Sequence, residues 1–497
     1  MWHIPSLINK GDNMERYLLG FDVGTQSAKG IIVDLEGKVI AEASISYSIQ
    51  RPQAGWAEHS PEKDYWETFT DICRVMLSDS GINPKLIQAI GIDALVPTMM
   101  AVDEQGNPLR NAMLFVDNRA IKQLEEANTI LENQISLEKV VPKILWFKEN
   151  EPELYDRTRY FTLPHSYLVA KLTGQVMIDV DTANVYGEIF NCETNEWIEE
   201  ACEALGIDVA KLPPVGPMNQ VAGYTDLRAK EAGLPAGIPV IVGTGDSYAS
   251  LVGYGAIHRG DMMIYLGTAG TQIMCKKELF DVMGGIHISD EGRTVDWKAN
   301  LIACGQGLEW LRKILLGNQY QYDDLNDEAS KLPIGSQKLI TLPHYLGIRT
   351  PTPNALAKGG IFGLDLVHTP IHLYRSLLEG LSFGMKQGMD AIEDPVCRIV
   401  VTGGGAKSEL WCQILSDCLG RPVQSVAEGG AALGIAYIAG IAVGLFSDFD
   451  VLERDWIRVG PQIEPDPAAT REYEKFYQIY LSLNEAIEPF YTALYEA

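Results

Sequence analysis

The sequence predicts an α/β protein built from two related domains that face each other across a central cleft. Three observations predict it. At 497 residues the chain is too long for a single hydrophobic core. A β-hairpin with Gly-Thr at its tip occurs twice, as DVGTQSAKGIIV from Asp22 and as YLGTAGTQIMCK from Tyr265. A unit in which an apolar strand stops at glycines and leads into a helix also occurs twice, over 239–247 and over 398–408.

In chain order, 17–21 reads as an apolar strand, 22–29 as a polar hairpin loop, 31–33 as its return strand and 39–43 as a third strand after the turn at 35–38. Segments 61–77 and 84–89 read as helices and 89–92 as a strand. The stretch EKVVPKILWFKE (138–149) has the pattern of an amphipathic helix with Pro142 in its first turns. A further helical region is expected at 156–174 and a rigid proline loop at 213–217. Strands follow at 239–242, 261–265, 271–275 and 422–426, with a helix over 408–419. The run 431–446 is apolar, but shorter than the ~20 residues of a membrane span, and its Ala and Gly content predicts a buried, tightly packed helix. Near the end, Tyr473, Phe476, Tyr477 and Tyr480 recur at helical spacing, as a core-facing stripe does.

Composition narrows the function. Hydrophobic residues make up 46% and charged residues 21%, as in a soluble globular protein. The formal net charge of -26 argues against nucleic acid and against anionic membrane surfaces. Eight cysteines are scattered without a CxxC pair, so reduced thiols and a cytoplasmic location are expected. The histidines show no HExxH spacing. Residues 1–13 lack the cationic start and long apolar run of a secretory signal and read as a short extension before a first domain over 14–255 and a second over 256–497.

Asp246 is the focal residue. It follows Gly243-Thr244-Gly245 at the carboxyl end of a strand, where ligands of open α/β sheets collect. Such a carboxylate either caps the following helix or is presented to a ligand. The loop at 22–29 offers a carboxylate, a glycine, two hydroxyls and a lysine, the ingredients of a phosphate cradle. A P-loop is excluded, because GGGAKS (403–408) has Ala406 where that motif needs Gly, and no GxGxxG follows the first strand. Gly403-Gly404-Gly405 lets a flat group lie on the backbone.

These residues resemble the FGGY family of carbohydrate kinases over nearly the whole chain from Met14. The resemblance is carried by DVGTQSAK (22–29), GWAEHSPEKDYW (55–66), PKILWFKENEP (142–152), GTGD (243–246), YLGTAGT (265–271), Arg349-Thr350-Pro351 with GGIFGLDLVHTPIHLYRSLLEG (359–380), and TGGGAKSELWCQ (402–413). It implies two RNase H-like domains of the actin/hexokinase-like ATPase fold, ATP and Mg²⁺ as cofactors, a small sugar or polyol as substrate, and a homodimer. By the same resemblance Asp246 is the base that takes the acceptor hydroxyl's proton, and Asp22 holds Mg²⁺. Thr25, Gln26, Ser27 and Lys29 would contact the phosphates, as would Gly267 and Thr268 from the second domain. Gly404, Gly405 and Ser408 would line the adenine pocket, with Gly305 and Glu309 on its far side. The sugar pocket departs from the family. Val96-Pro97 stands where xylulose kinases carry Met-His and glycerol kinases Arg-Glu, and neither side chain can bond a hydroxyl. Asp117 and Arg119 resemble the W-x-D-x-R segment, with Phe115 for Trp, and either hold sugar hydroxyls beside Asp246 and Ser247 or form a surface ion pair. The expected activity is phosphorylation of a ketopentose such as xylulose or ribulose. The alternative is a non-catalytic actin-like ATP-binding sensor or scaffold.

Overall fold

A computed structural model of the chain describes residues 15–279, 295–315, 317, 319–349, 352–426 and 428–497. The extension at 1–13 and the Thr350-Pro351 pair lie outside the described residues. The chain divides into two compact units. One holds the chain up to Ser250 together with Ala431–Trp456, and the other holds the described remainder of 251–430 with Ile457–Ala497.

The first unit is built on a seven-stranded sheet in the order Val221–Tyr224, Pro239–Ile241, Ile87–Ala94, Tyr17–Val23, Ser27–Asp34, Val39–Ser46, with Thr244–Gly245 also pairing Ile87–Ala94. Tyr17–Val23 runs parallel to Ile87–Ala94 and antiparallel to its hairpin partner. The second unit repeats this plan in a six-stranded sheet ordered Val295–Leu301, Gly270–Cys275, Asp261–Leu266, Arg398–Thr402, Val423–Ser425, Gln462–Ile463. Again an antiparallel hairpin abuts a parallel strand, here Arg398–Thr402 beside Asp261–Leu266. The hairpins expected from the two Gly-Thr tips therefore occupy equivalent places in the two sheets.

Local outcomes differ from the sequence reading in three places. The helical region expected at 156–174 is split, with Tyr160–Thr162 forming a strand before the helix Pro164–Thr173. Segment 84–89 is not a helix: Pro84–Leu86 makes one 3₁₀ turn and Ile87 already pairs in the strand Ile87–Ala94. The proline starts a turn, but the apolar run that follows is buried on both faces, as in a central strand of a covered sheet. The polar loop at 22–29 is also shorter than expected. Strand pairing runs through Val23 opposite Ala28, leaving Gly24, Thr25 and Gln26 as the turn, so Asp22, Ser27 and Lys29 are strand residues.

The buried helix expected in 431–446 is observed at Ala431–Ala442, but it covers the first sheet rather than the second, lying on Tyr17–Val23 and Ile87–Ala94. Two glycines allow this. Gly20 and Gly91 are register neighbours, and a Cβ on either would lie 1.9 Å from the Ala432 carbonyl oxygen or 2.3 Å from that of Ile435. The helix backbone thus rests directly on the sheet backbone. The units consequently cut the chain differently from a single boundary at 255/256.

The last helix, Pro467–Glu496, buries Tyr473, Tyr477 and Tyr480, while Phe476 is half-buried. Tyr473 does more than pack. Its hydroxyl donates to Glu379 Oε1 at 3.2 Å, beside the fully buried Arg375–Glu379 ion pair at 3.0 Å.

Candidate active site

In the first unit, three neighbouring strands end at carboxylates. Asp22 lies at the end of Tyr17–Val23, Asp93 at the end of Ile87–Ala94, and Asp246 just beyond Thr244–Gly245. Asp22 and Asp93 are directly opposed in the parallel ladder, as are Asp93 and Thr244, so these three side chains leave the same face of the sheet, and Asp246 opens the helix that follows, close enough to feel the charge of Asp22. Asp93 is 0% exposed. No N–H or hydroxyl donates to either of its oxygens, and Asp22 Oδ1 is likewise buried without such a donor, so the two carboxyls have only each other.

Crowding of acids sets the electrostatics. Burial, and then the charge of Asp22, push the Asp246 carboxyl from its ordinary 3.8 up to about 7, against the opposing pull of bonds from Ser247. The Ser247 hydroxyl donates to Asp246 Oδ1 at 3.3 Å. Asp93 is raised well above the ordinary carboxylate range by burial and by the charges of Asp22 and Asp246. Burial pushes Asp22 up to about 6, against the opposing pulls of a carboxyl–carboxylate hydrogen bond with Asp93 and of the Lys29 charge. Lys29 itself pairs with Glu42 at 2.8 Å on the adjoining strand.

The strand end that carries Asp246 is held from behind. Thr244 Oγ1 donates to Asp179 Oδ2 at 2.9 Å, and Asp179 also accepts from the Thr182 amide at 3.2 Å and the Thr182 hydroxyl. His165 Nε2 lies 3.4 Å from Asp179 Oδ1, and both residues are fully buried. Val96 packs at the same place: a Cβ on Gly245 would come within 2.7 Å of its Cγ2. The Val96–Pro97 peptide is cis.

Asp117 and Arg119 form a buried cluster. Arg119 Nε and Nη2 donate to Asp117 at 2.8 and 2.7 Å, and Nη2 also donates to Glu58 at 2.6 Å. Its guanidinium lies 3.5 Å above the Trp56 ring. Asp117 in turn accepts from the Ala57 amide at 2.6 Å. The pair is 0% and 1% exposed by side chain, which overturns the surface-ion-pair alternative.

At the hairpin turn, the Tyr47 hydroxyl donates to the Gly24 carbonyl at 2.7 Å and the Tyr47 amide to that of Gln26 at 2.9 Å, fixing the backbone of Gly24–Gln26. Gln26 is exposed; Thr25 and Ser27 are half-buried.

In the second unit, the tip at Gly267-Thr268 is bound to the start of the helix Gly305–Trp310. The Gly305 amide donates to the Gly267 carbonyl at 2.8 Å, and the Cys304 amide to that of Thr268 at 2.9 Å. A Cβ on Gly305 would meet the Gly267 oxygen at 2.7 Å, so only glycine permits this approach. Gly403 adopts φ +86 against Leu266, whereas a Cβ on Gly404 would meet nothing within 4 Å. Gly405 is packed against Trp411 and Leu266. The open face of the triple glycine is therefore at Gly404. Ser408 Oγ accepts from the Trp411 amide at 3.2 Å and caps the helix Glu409–Leu419. Glu309 is engaged by Arg312 and Lys313, each at 2.9 Å, which hold its carboxyl down at about 2.

The structure thus brings together Asp22, Asp246 and Ser247 in one unit and Gly267, Thr268 and Gly305 in the other. Asp93, Asp179 and His165 are positions that sequence reasoning missed. Asp93 carried a signal, a lone acid in the apolar run Ile90-Gly91-Ile92-Asp93-Ala94.

The N-terminal domain model of the FGGY family of carbohydrate kinases matches residues 17–253, and its C-terminal domain model matches residues 282–443. The xylulose kinase of Bacillus subtilis (strain 168) is 27% identical over 496 residues, covering 96% of this chain and 99% of that protein. The gluconokinase of Bacillus licheniformis is 26% identical, covering 97% and 98%. Among solved structures, the xylulose kinase from Rhodospirillum rubrum matches with a TM-score of 0.83 at 26% identity, covering 96% of this chain and 100% of that one. The gluconate kinase from Lactobacillus acidophilus shares the fold with a TM-score of 0.84 at 22% identity, covering 97% and 100%. With both domain models matched and an uninterrupted likeness to sugar kinases, the chain belongs to the FGGY family of carbohydrate kinases, phosphotransferases of the actin/hexokinase-like fold.

Proposed function

We propose that this sugar kinase transfers the γ-phosphoryl group of ATP to a hydroxyl of a small sugar or polyol, with a ketopentose such as xylulose or ribulose as the leading substrate. The observation that carries the reading is Asp246. It sits at the carboxyl end of a parallel strand, braced through Thr244 by Asp179, with its carboxyl tuned to about 7. A base with that affinity for protons is half-ionised near neutrality and accepts a hydroxyl proton with little mismatch. Phosphoryl transfer asks mainly for positioning and charge neutralisation. Asp246 takes the proton of the acceptor hydroxyl as it attacks, and Ser247 keeps the carboxylate oriented.

Asp22 would hold Mg²⁺, and its buried Oδ1, which has no donor, fits that use. When bound, the metal neutralises charge on the phosphates and orients them. Thr25, Gln26, Ser27 and Lys29 in the first unit, and Gly267 and Thr268 in the second, would bond phosphate oxygens. The open face at Gly404, with Gly405, Ser408, Gly305 and Glu309, would take the adenosine. Val96 and Pro97 would give the sugar site an apolar wall, and Asp117 and Arg119 would set its rim. The xylulose kinase relatives favour a ketopentose, and reduced cysteines favour the cytoplasm. No described helix is long and apolar enough to cross a membrane.

The test is coupled ADP release over a panel of ketoses, polyols and sugar acids. Saturable, ketopentose-dependent ADP formation is expected. Turnover with sugar acids alone would replace the substrate, and ligand-induced thermal shifts without turnover across the panel would overturn the kinase assignment.

A further inference from the structure

Asp93 is an acid that the family resemblance does not explain. It is fully buried, it stands in register beside Asp22, and no N–H or hydroxyl donates to either of its oxygens. A buried carboxylate is ordinarily hydrogen-bonded, ion-paired or bound to a cation. Its ladder neighbours are another carboxylate, Asp22, and Thr244, whose hydroxyl is given to Asp179 instead. Paired strands lie about 4.8 Å apart, which puts two side chains of one face within reach of a common ion. Asp22 Oδ1, which receives no N–H or hydroxyl donor either, is the third such oxygen of the pair.

From this we infer that Asp93 is a second protein carboxylate for the divalent cation, acting with Asp22. The inference rests on the kinase reading for the identity of the cation but on the register and the unpartnered oxygens for the site. Two carboxylates suit Mg²⁺, which keeps several waters and takes phosphate oxygens for its other positions. No group of three or more His, Cys, Asp or Glu side chains placed to hold a metal is found among the described residues, so water and nucleotide would complete the shell. The rival occupant of the gap is a proton shared by the two acids.

Binding of Mn²⁺ to the nucleotide-free full-length protein separates the two, read by electron paramagnetic resonance of the unbound ion. Asp93→Asn should weaken Mn²⁺ binding about tenfold or more, the range seen when metal-site groups are altered. Asp22→Asn should weaken it at least as much. Asp93→Ser provides a smaller second variant should the amide disturb folding, and circular dichroism checks that each variant is folded. Mn²⁺ binding by the folded Asp93 variants equal to that of the parent would overturn the inference and leave the shared proton. So would a parent protein that binds no Mn²⁺ below millimolar concentrations. Sugar-dependent ADP release by the parent is measured alongside. Turnover with Mn²⁺ binding indifferent to Asp93 refutes only this site, whereas Asp93-dependent binding without turnover refutes only the kinase reading.

Discussion

Thr244 Oγ1 donates a 2.9 Å hydrogen bond to Asp179 Oδ2, and both residues are fully buried. Thr244 lies two residues before Asp246, so this bond fixes the strand end from which the proposed base projects. On the proposed mechanism Asp179 would act on the chemistry through that strand, as a positioning residue.

Thr244→Val keeps the shape and removes the donor. An acceptor left short of a partner in a buried site costs about 1–3 kcal/mol, so the midpoint of urea unfolding should fall accordingly. Because the base is displaced rather than the substrates, kcat should fall while KM for ATP holds. A variant with lowered stability and unaltered kcat would show that the bond supports the fold alone.

The elevated Asp246 carboxyl predicts opposite effects on activity and stability. In the unfolded chain an aspartate titrates near 3.9; in the fold Asp246 titrates at about 7. Between those values the folded state holds more protons, so its stability falls as pH rises through that window. Asp246→Asn cannot ionise and escapes the penalty. It should melt above the parent at pH 8, with the difference closing towards pH 4, when both are measured in chelator. Turnover should drop ~10²–10⁴-fold, as for loss of a general base. A variant that melts lower at pH 8, or turns over like the parent, contradicts the assignment.

Gly20 and Gly91 predict a steric limit. A methyl group at either would collide with a helix carbonyl rather than a movable side chain. Gly20→Ala and Gly91→Ala should each destabilise by more than the ~1–3 kcal/mol of ordinary overpacking, seen as a lower melting temperature or loss of soluble protein. Alanine at Gly81, where a Cβ meets nothing within 4 Å but φ is +65, is the control for strain without collision.

Arg119 predicts that lysine is a poor substitute. Its guanidinium bonds two carboxylates and stacks on Trp56 at once, a geometry that an ammonium cannot copy. Removing one partner of a buried charge cluster costs about 3–5 kcal/mol, so Arg119→Ala should unfold at much lower urea. Arg119→Lys should restore less than half of the loss. A lysine variant as stable as the parent would count against the stacked, forked arrangement.

What could be read from the sequence was what short stretches encode. The Gly-Thr tips, the glycine-ended strands and Asp246 each announce themselves within a few residues, because a turn or a strand end has its own local chemistry. The hairpin loop was drawn too long at Asp22 and Lys29, since polar side chains on one face of a strand resemble a loop when the pairing is unseen. The joining of Thr244 to Asp179 and His165 stayed hidden for another reason. The three are distant in sequence, each is an ordinary residue alone, and only tertiary folding joins them. The helix Ala431–Ala442 was recognisable as buried, but nothing in its composition names the sheet that it covers.

That helix has a consequence for how the protein is made. Synthesis of the first sheet ends long before its covering helix leaves the ribosome, so the bare strip at Gly20 and Gly91 waits for residues encoded far downstream. A gene cut at the apparent midpoint would yield an N-terminal half with that strip permanently uncovered, and such a fragment should be recovered in inclusion bodies unless the 431–456 segment is supplied alongside it.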